Sequence, residues 1–158
     1  MKLFSIARVS AYVVVGALAI YGAMHATRSV FAAENVSPVR LDRDKFGGLG
    51  LTAVPPDAYK DILEAGQLNM RVATLFAGKE LSAEIFECTP AKTNHRNRPT
   101  PGDEFVYVLS GKLILTEPNG KAQEFQPGDS LVLPMNYTGT WEMQGNYREL
   151  AITAKKAK

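Results

Sequence analysis

From about residue 69 onward the chain alternates apolar and polar positions at the period of a strand and breaks repeatedly on glycine, proline or asparagine. Met70, Val72, Thr74 and Phe76 fall on one face of a first run, with Arg71, Ala73 and Leu75 on the other. Ala77-Gly78-Lys79-Glu80 turns the chain, Leu81 to Cys88 runs on as a strand, and Pro90 ends it. Phe105 to Leu109 and Lys112 to Thr116 read as two strands parted by Ser110-Gly111. Pro118-Asn119-Gly120 supplies the positive-φ residues of a tight hairpin, which predicts antiparallel pairing with Lys121 to Phe125. Pro127-Gly128-Asp129 then leads into Ser130 to Leu133, and Asn146 to Thr153 supplies a last strand. About eight short strands separated by turn chemistry predict an all-β barrel or sandwich.

The remaining stretches lack that alternation. Ala33 to Pro56, with Gly47-Gly48, Gly50 and Pro55-Pro56, has no sustained period and reads as an extended arm. Asp57 to Gly66 predicts one short helix, capped by Asp57 and ended by Gly66, with Ala58, Ile62 and Leu63 on one side. Ala91 to Gly102 is polar and irregular. It reads as a long loop at the barrel mouth, carrying His95, Arg96 and Arg98, where binding groups are often displayed and a lone histidine is more often exposed.

At the N-terminus, Lys2 and Arg8 precede Ala11 to Met24, an uncharged apolar run, and Val30-Phe31-Ala32 offers small residues for cleavage after Ala32 or Ala33. Fourteen residues fall short of the roughly 20 that span a bilayer as a helix, so residues 1–32 predict an export signal rather than an anchor. The expected order is therefore signal (1–32), arm (33–66) and barrel (67–155). The product would be periplasmic or secreted; the alternative is tethering through residues 11–24.

Composition is that of an ordinary folded domain, 46% hydrophobic and 22% charged. Loss of residues 1–32 removes Lys2, Arg8 and Arg28 and no acid, moving the formal net charge from +2 to −1. No basic field remains for a nucleic acid or an anionic membrane. The single Cys88 has no internal disulfide partner and, between Phe86 and Pro90, reads as a small buried hydrophobe.

Two spacings carry a family resemblance. Glu104, six residues and Gly111, followed after the hairpin by Gly128, five residues and Pro134, resemble the two half-motifs of the cupin superfamily. Phe86-Glu87-Cys88-Thr89-Pro90, Pro101-Gly102-Asp103-Glu104-Phe105, Val108-Leu109-Ser110-Gly111 and Gly139-Thr140-Trp141-Glu142 resemble more narrowly its ureidoglycine aminohydrolase and ethanolamine-utilisation type. The similarity covers roughly residues 69–153 and implies a single double-stranded β-helix, the cupin jelly roll, with the arm packed on a neighbouring barrel. One such fold hosts many chemistries, so substrate does not follow from it.

The resemblance also implies a metal centre of three histidines and a glutamate, and here the sequence departs from it. Only Glu104 stands at its place. The first-motif histidine positions fall within Asn97 to Thr100, Asn136 replaces the second motif's glycine, and Gly139 stands at its histidine. With His95 the one histidine after residue 32, a three-imidazole site cannot form within one subunit, so no metal or other cofactor is expected. An oxygen-only site from Glu104, Asp103 and Glu87 is the weaker possibility.

The candidate acid–base groups are Glu104, which at its family position points into the barrel, and His95, whose ordinary pKa lies near neutrality. The bland alternative for Glu104 is an ion pair with Arg98 or Arg71. Glu104, Arg98, Tyr137 and Trp141 are the candidate ligand-binding residues, an aromatic wall with a few polar groups. Two readings follow: an accessory module binding a small polar or nitrogenous metabolite, or a metal-independent isomerase, epimerase or lyase acting on a carbohydrate or ureide-like substrate. Phe105, Tyr107 and Leu109, opposite Glu104 on its strand, form an outward apolar row that predicts a homodimer.

Overall fold

The computed structural model describes residues 37–155, so the predicted signal and its cleavage site lie outside the described residues. Nine strands follow a four-residue helix, α1 (Arg43–Phe46): β1 (Thr52–Ala53), β2 (Leu63–Gly66), β3 (Met70–Ala77), β4 (Leu81–Cys88), β5 (Ala91–Asn94), β6 (Glu104–Thr116), β7 (Ala122–Phe125), β8 (Ser130–Leu133) and β9 (Thr140–Ala154). All pairings are antiparallel.

Two long strands, β6 and β9, run side by side through both layers of the jelly roll. Their outer halves, Glu104 to Val108 with Glu149 to Thr153, join β4, β3 and β1 on one side and β8 on the other. Their inner halves, Lys112 to Thr116 with Thr140 to Gln144, join β5 and β2 on one side and β7 on the other. The corner lies where the β6–β9 register shifts between Val108 and Lys112. Gly111 and Gly145 both take φ of 70° there, and a Cβ on Gly111 would stand 2.6 Å from the Gln144 carbonyl oxygen and 2.7 Å from the Tyr147 Cα. The final glycine of the first half-motif is therefore a corner requirement. It bends one continuous strand of 13 residues, where the sequence predicts two strands with a break.

Alternation along β6 is strict up to the corner: Glu104, Val106 and Val108 are buried and Phe105 and Tyr107 exposed. The core gathers these inward residues with Met70, Cys88, Leu113, Leu115, Leu133, Trp141, Met143 and Tyr147. The predicted hairpin is present, pairing Leu113 with Phe125 through Thr116 with Ala122.

Three other expectations are corrected. Asp57 to Gly66 is not a helix: a single 3₁₀ turn at Pro56–Ala58 gives way to β2, because Leu63 to Gly66 pairs with the free edge of β5. Ala91 to Asn94, read as loop, is β5 itself, seated between β2 and β9. The arm, expected on a neighbouring barrel, closes over its own: Val54, Tyr59 and Ile62 are in the core and β1 extends the β3 edge.

Candidate functional site

The barrel interior holds an acidic cluster whose innermost members, Glu104 and Glu149, have no ion-pair partner among the described residues. Glu104 is fully buried and neither carboxyl oxygen has a hydrogen-bond partner. Strand parity brings Glu149 of β9 and Glu84 of β4 to the same inner face, since Val106 pairs with Ala151, Ala151 with Glu84, and Glu149 with both Val108 and Phe86. Burial, and next the Glu149 and Glu84 charges, push Glu104 well above the usual carboxyl range. Burial also raises Glu149, to about 7, although Tyr147 donates a short hydrogen bond to it. Glu104 therefore holds its proton more tightly than an ordinary carboxyl. Arg71 and Arg98, its expected ion-pair partners, are both engaged elsewhere. Arg71 binds Glu87 at 2.9 Å, while Arg98 binds Asp61 at 3.1 Å and donates to the Ala58 carbonyl.

His95 is not exposed on a loop. It sits at the end of β5, buried, 3.0 Å from Thr93 Oγ1 and with its ring centroid 5.2 Å from that of Trp141. Burial, reinforced by the Arg98 charge, lowers its pKa to about 4, so the imidazole is neutral across the physiological range. His95, Trp141, Thr93 and Glu149, with Leu68, Met70, Phe86 and Met143, line a cavity of about 20 Å³. That is room for one water-sized guest. The Trp141 indole N–H lacks a partner.

Tyr137 lies apart from these residues, in a second and much larger space. An open cleft of about 630 Å³ is formed where the chain crosses from β7 to β8. Its walls are Leu115, Phe125, Leu131, Leu133, Pro134 and Tyr137, with Glu117, Gln123 and Thr138 supplying polar groups. Of the four predicted ligand-binding residues, then, Tyr137 lines the cleft, Trp141 lines the small cavity, Glu104 lies in the carboxyl cluster, and Arg98 holds the loop to the turn before β2.

The residues present do not fit a three-histidine metal centre. Thr100, within the first-motif histidine stretch, donates to the Pro134 carbonyl at 2.7 Å and accepts from the Tyr137 amide, locking the loop to the second motif. A Cβ on Gly139 would lie 2.5 Å from the Thr116 carbonyl oxygen and 3.0 Å from the Tyr137 hydroxyl, so backbone packing leaves no room for a histidine there. Asn136 takes φ of 67°, the left-handed conformation that asparagine tolerates best after glycine. The oxygen-only alternative is also dispersed: Glu87 faces outward to Arg71 and Arg148, Asp103 accepts from the Met135 amide, and Glu104 points inward. Among the described residues no three His, Cys, Asp or Glu side chains converge as metal ligands. Elemental analysis of untagged protein is expected to return no stoichiometric transition metal; one equivalent of manganese, iron, nickel or zinc would contradict this account.

Glu149, Tyr147 and Glu84 belong to no motif. Only parity along β9 and β4, read together with Glu104, could have placed them. The cleft residues Glu117, Phe125 and Leu131 were legible as strand ends and not as a site.

Residues 77–150 match the family model described as EutQ-like cupin domain. Among solved structures, a protein of unknown function from Pseudomonas syringae pv. tomato superposes with a TM-score of 0.57 at 24% identity, covering 71% of this chain and 46% of that longer one. A putative ethanolamine utilization protein Q from Salmonella typhimurium gives 0.51 at 16% identity, covering 66% of this chain and 94% of that one. The EutQ protein of Clostridium difficile gives 0.50 at 18%, covering 60% and 76%. No curated protein matches the sequence. At these identities the structural likeness establishes fold and leaves activity open.

Proposed function

We propose that the protein, whose residues 77–150 match the EutQ-like cupin domain model, is an exported binding module that captures a small organic metabolite without a bound metal. The observation carrying this reading is the cleft between β7 and β8: about 630 Å³ falls in the range of small-molecule sites, roughly 300–1,000 Å³. The barrel centre, by contrast, keeps room for little beyond a water. A metabolite screen by thermal shift, run with and without EDTA, tests it. A true ligand at about 100 times its dissociation constant adds about 2.7 kcal/mol, and chelator should leave that gain intact. Stabilisation that vanishes with EDTA would overturn the metal-free reading.

A second reading, a metal-independent enzyme, draws support from Glu149 titrating at about 7 beside His95 and Trp141. It requires substrate atoms to reach a cavity of about 20 Å³, which is why binding at the cleft takes precedence. Turnover abolished by Glu149→Gln would reverse that order.

Export by residues 1–32 and residence in the periplasm or medium complete the proposal, with retention by residues 11–24 as the alternative. Two-fold association is its last element. Phe105 and Tyr107 are each 38% exposed and Val132, which pairs with Phe105, 64%. The arm docks on the Arg71–Glu87–Arg148 side and leaves this row open. An apolar patch of this kind suits a symmetric partner. Light scattering at tens of micromolar should return a dimer, and Tyr107→Lys should split it into folded monomers. A wild-type monomer under those conditions would contradict the association.

A further inference from the structure

The cleft between β7 and β8 sets apolar side chains beside polar ones and carries one charge. Glu117 is the only charged side chain among the residues lining it. Its carboxylate is held from both sides by amides, Asn119 Nδ2 at 3.0 Å from Oε2 and Gln123 Nε2 at 3.4 Å from Oε1. No lysine or arginine among the described residues lies within ion-pair distance of it. The other free rim acid-binding elements are absent too: the lining contains no lysine, arginine or histidine. Tyr137 lines the same cleft, and its hydroxyl is buried without a hydrogen-bond partner and is pushed up in pKa first by burial and then by the Glu117 charge.

An uncompensated carboxylate fixed by two amides at the edge of an apolar slot is complementary to a positive charge on an apolar body. Ammonium N–H groups can take the remaining carboxylate lone pairs, while Leu115, Phe125, Leu131 and Leu133 receive hydrocarbon and the Tyr137 ring supplies a face for the cation. An anionic ligand would meet repulsion from Glu117 and no compensating donor charge. A polyhydroxylated ligand would set part of its hydroxyls against Leu115, Phe125, Leu131 and Leu133. We propose that the cleft bounded by Glu117, Phe125, Leu131 and Tyr137 binds a small organic ammonium ion with an apolar or aromatic body. This rests on the reading of the cleft as a small-molecule site and narrows its ligand class from polar metabolites in general to amphiphilic amines.

Three probes of one size separate the two levels: 2-phenylethylammonium, 2-phenylethanol and phenylacetate, each titrated into the full chain while amide resonances are followed by NMR. The ammonium ion should shift the resonances of Glu117 and of residues 131–138, binding roughly fivefold or more tightly than the alcohol, the worth of a solvent-exposed ion pair, with phenylacetate weakest. Raising the salt concentration should shrink that preference, and Glu117→Gln should erase it. Equal binding of alcohol and ammonium at the cleft, or a preference that survives Glu117→Gln, overturns the ligand class and leaves the small-molecule reading standing. If none of the three perturbs the cleft residues, both fail.

Discussion

Replacing Glu149 by glutamine is expected to make the protein more stable at neutral pH and to remove part of a downward slope in stability between pH 4.5 and 7. The carboxyl is buried on β9, facing Tyr147 of its own strand, Glu104 of β6, and Glu84 and Cys88 of β4. Its pKa rises from an ordinary 4.5 to about 7, chiefly through burial. Between those values the folded protein keeps a proton that the unfolded chain has released, so the folded state binds more protons and stability falls as pH rises. The contribution is fully present below about 4.5 and is lost as pH passes through about 7. At 1.36 kcal/mol per unit, the loss is on the order of 3 kcal/mol. Glu104, raised by burial and then by the Glu149 and Glu84 charges, and Glu84, raised by burial, add declines of the same sign. Glutamine keeps an oxygen to accept from the Tyr147 hydroxyl and carries no proton to lose. Urea unfolding at pH 5, 7 and 9 reads the effect. A wild-type curve flat across that range would contradict the placement of two acids in a barrel without a counter-ion.

The second large effect is expected at Glu87, on the outer face of β4. Its carboxylate takes Arg71 Nη1 at 2.9 Å and Arg148 Nε at 2.8 Å, with Arg148 Nη2 as a further short contact. Both arginines reach on to the arm, Arg148 to the Phe46 carbonyl at 3.3 Å and Arg71 to the Gly48 carbonyl at 3.2 Å. Glu87→Ala leaves Arg148, whose side chain is 15% exposed, buried without its counter-charge. Breaking such a pair costs about 3–5 kcal/mol, reduced here because the Arg71 side chain is 44% exposed and rehydrates. The expected loss is therefore about 2–3 kcal/mol, with hydrogen exchange accelerating across residues 43–53 before the barrel opens. Replacing Glu87, Arg71 and Arg148 together by apolar residues should cost less than Glu87→Ala alone, since no stranded charge remains. A loss below about 1 kcal/mol for Glu87→Ala would mean the arm is held by its Val54, Tyr59 and Ile62 packing instead.

The barrel was legible wherever one side of a strand met the core and the other did not. The β6 alternation, the Asn119-Gly120 hairpin and the two half-motif spacings all report local requirements, whether side-chain parity, positive φ or a corner glycine. What escaped was decided by partners distant in sequence. Leu63 to Gly66 has helix-compatible residues and is a strand only because β5 offers an edge; β5 itself, four residues long, has too few positions to show a period. His95 looks solvent-facing among polar neighbours, and is buried because β5 pairs with β9 and sets it against Trp141. The acidic cluster was half legible: Glu104 stands at a motif position, while Glu149 and Glu84 reach it only through the β4–β9–β6 register.

The proposed function places the work of this barrel in the cleft between β7 and β8 and not at a metal on Glu104. Thermal stabilisation by the best ligand of a metabolite screen, compared across wild type, Gln123→Trp and Glu104→Gln with EDTA present throughout, tests it most directly. Gln123 lies exposed at the cleft's rim, so tryptophan there should fill the space and abolish the ligand's stabilisation, whereas Glu104→Gln should leave it at the wild-type value. A ligand that still stabilises Gln123→Trp but loses its effect with Glu104→Gln, or with chelator alone, would contradict the account and return the site to the barrel centre.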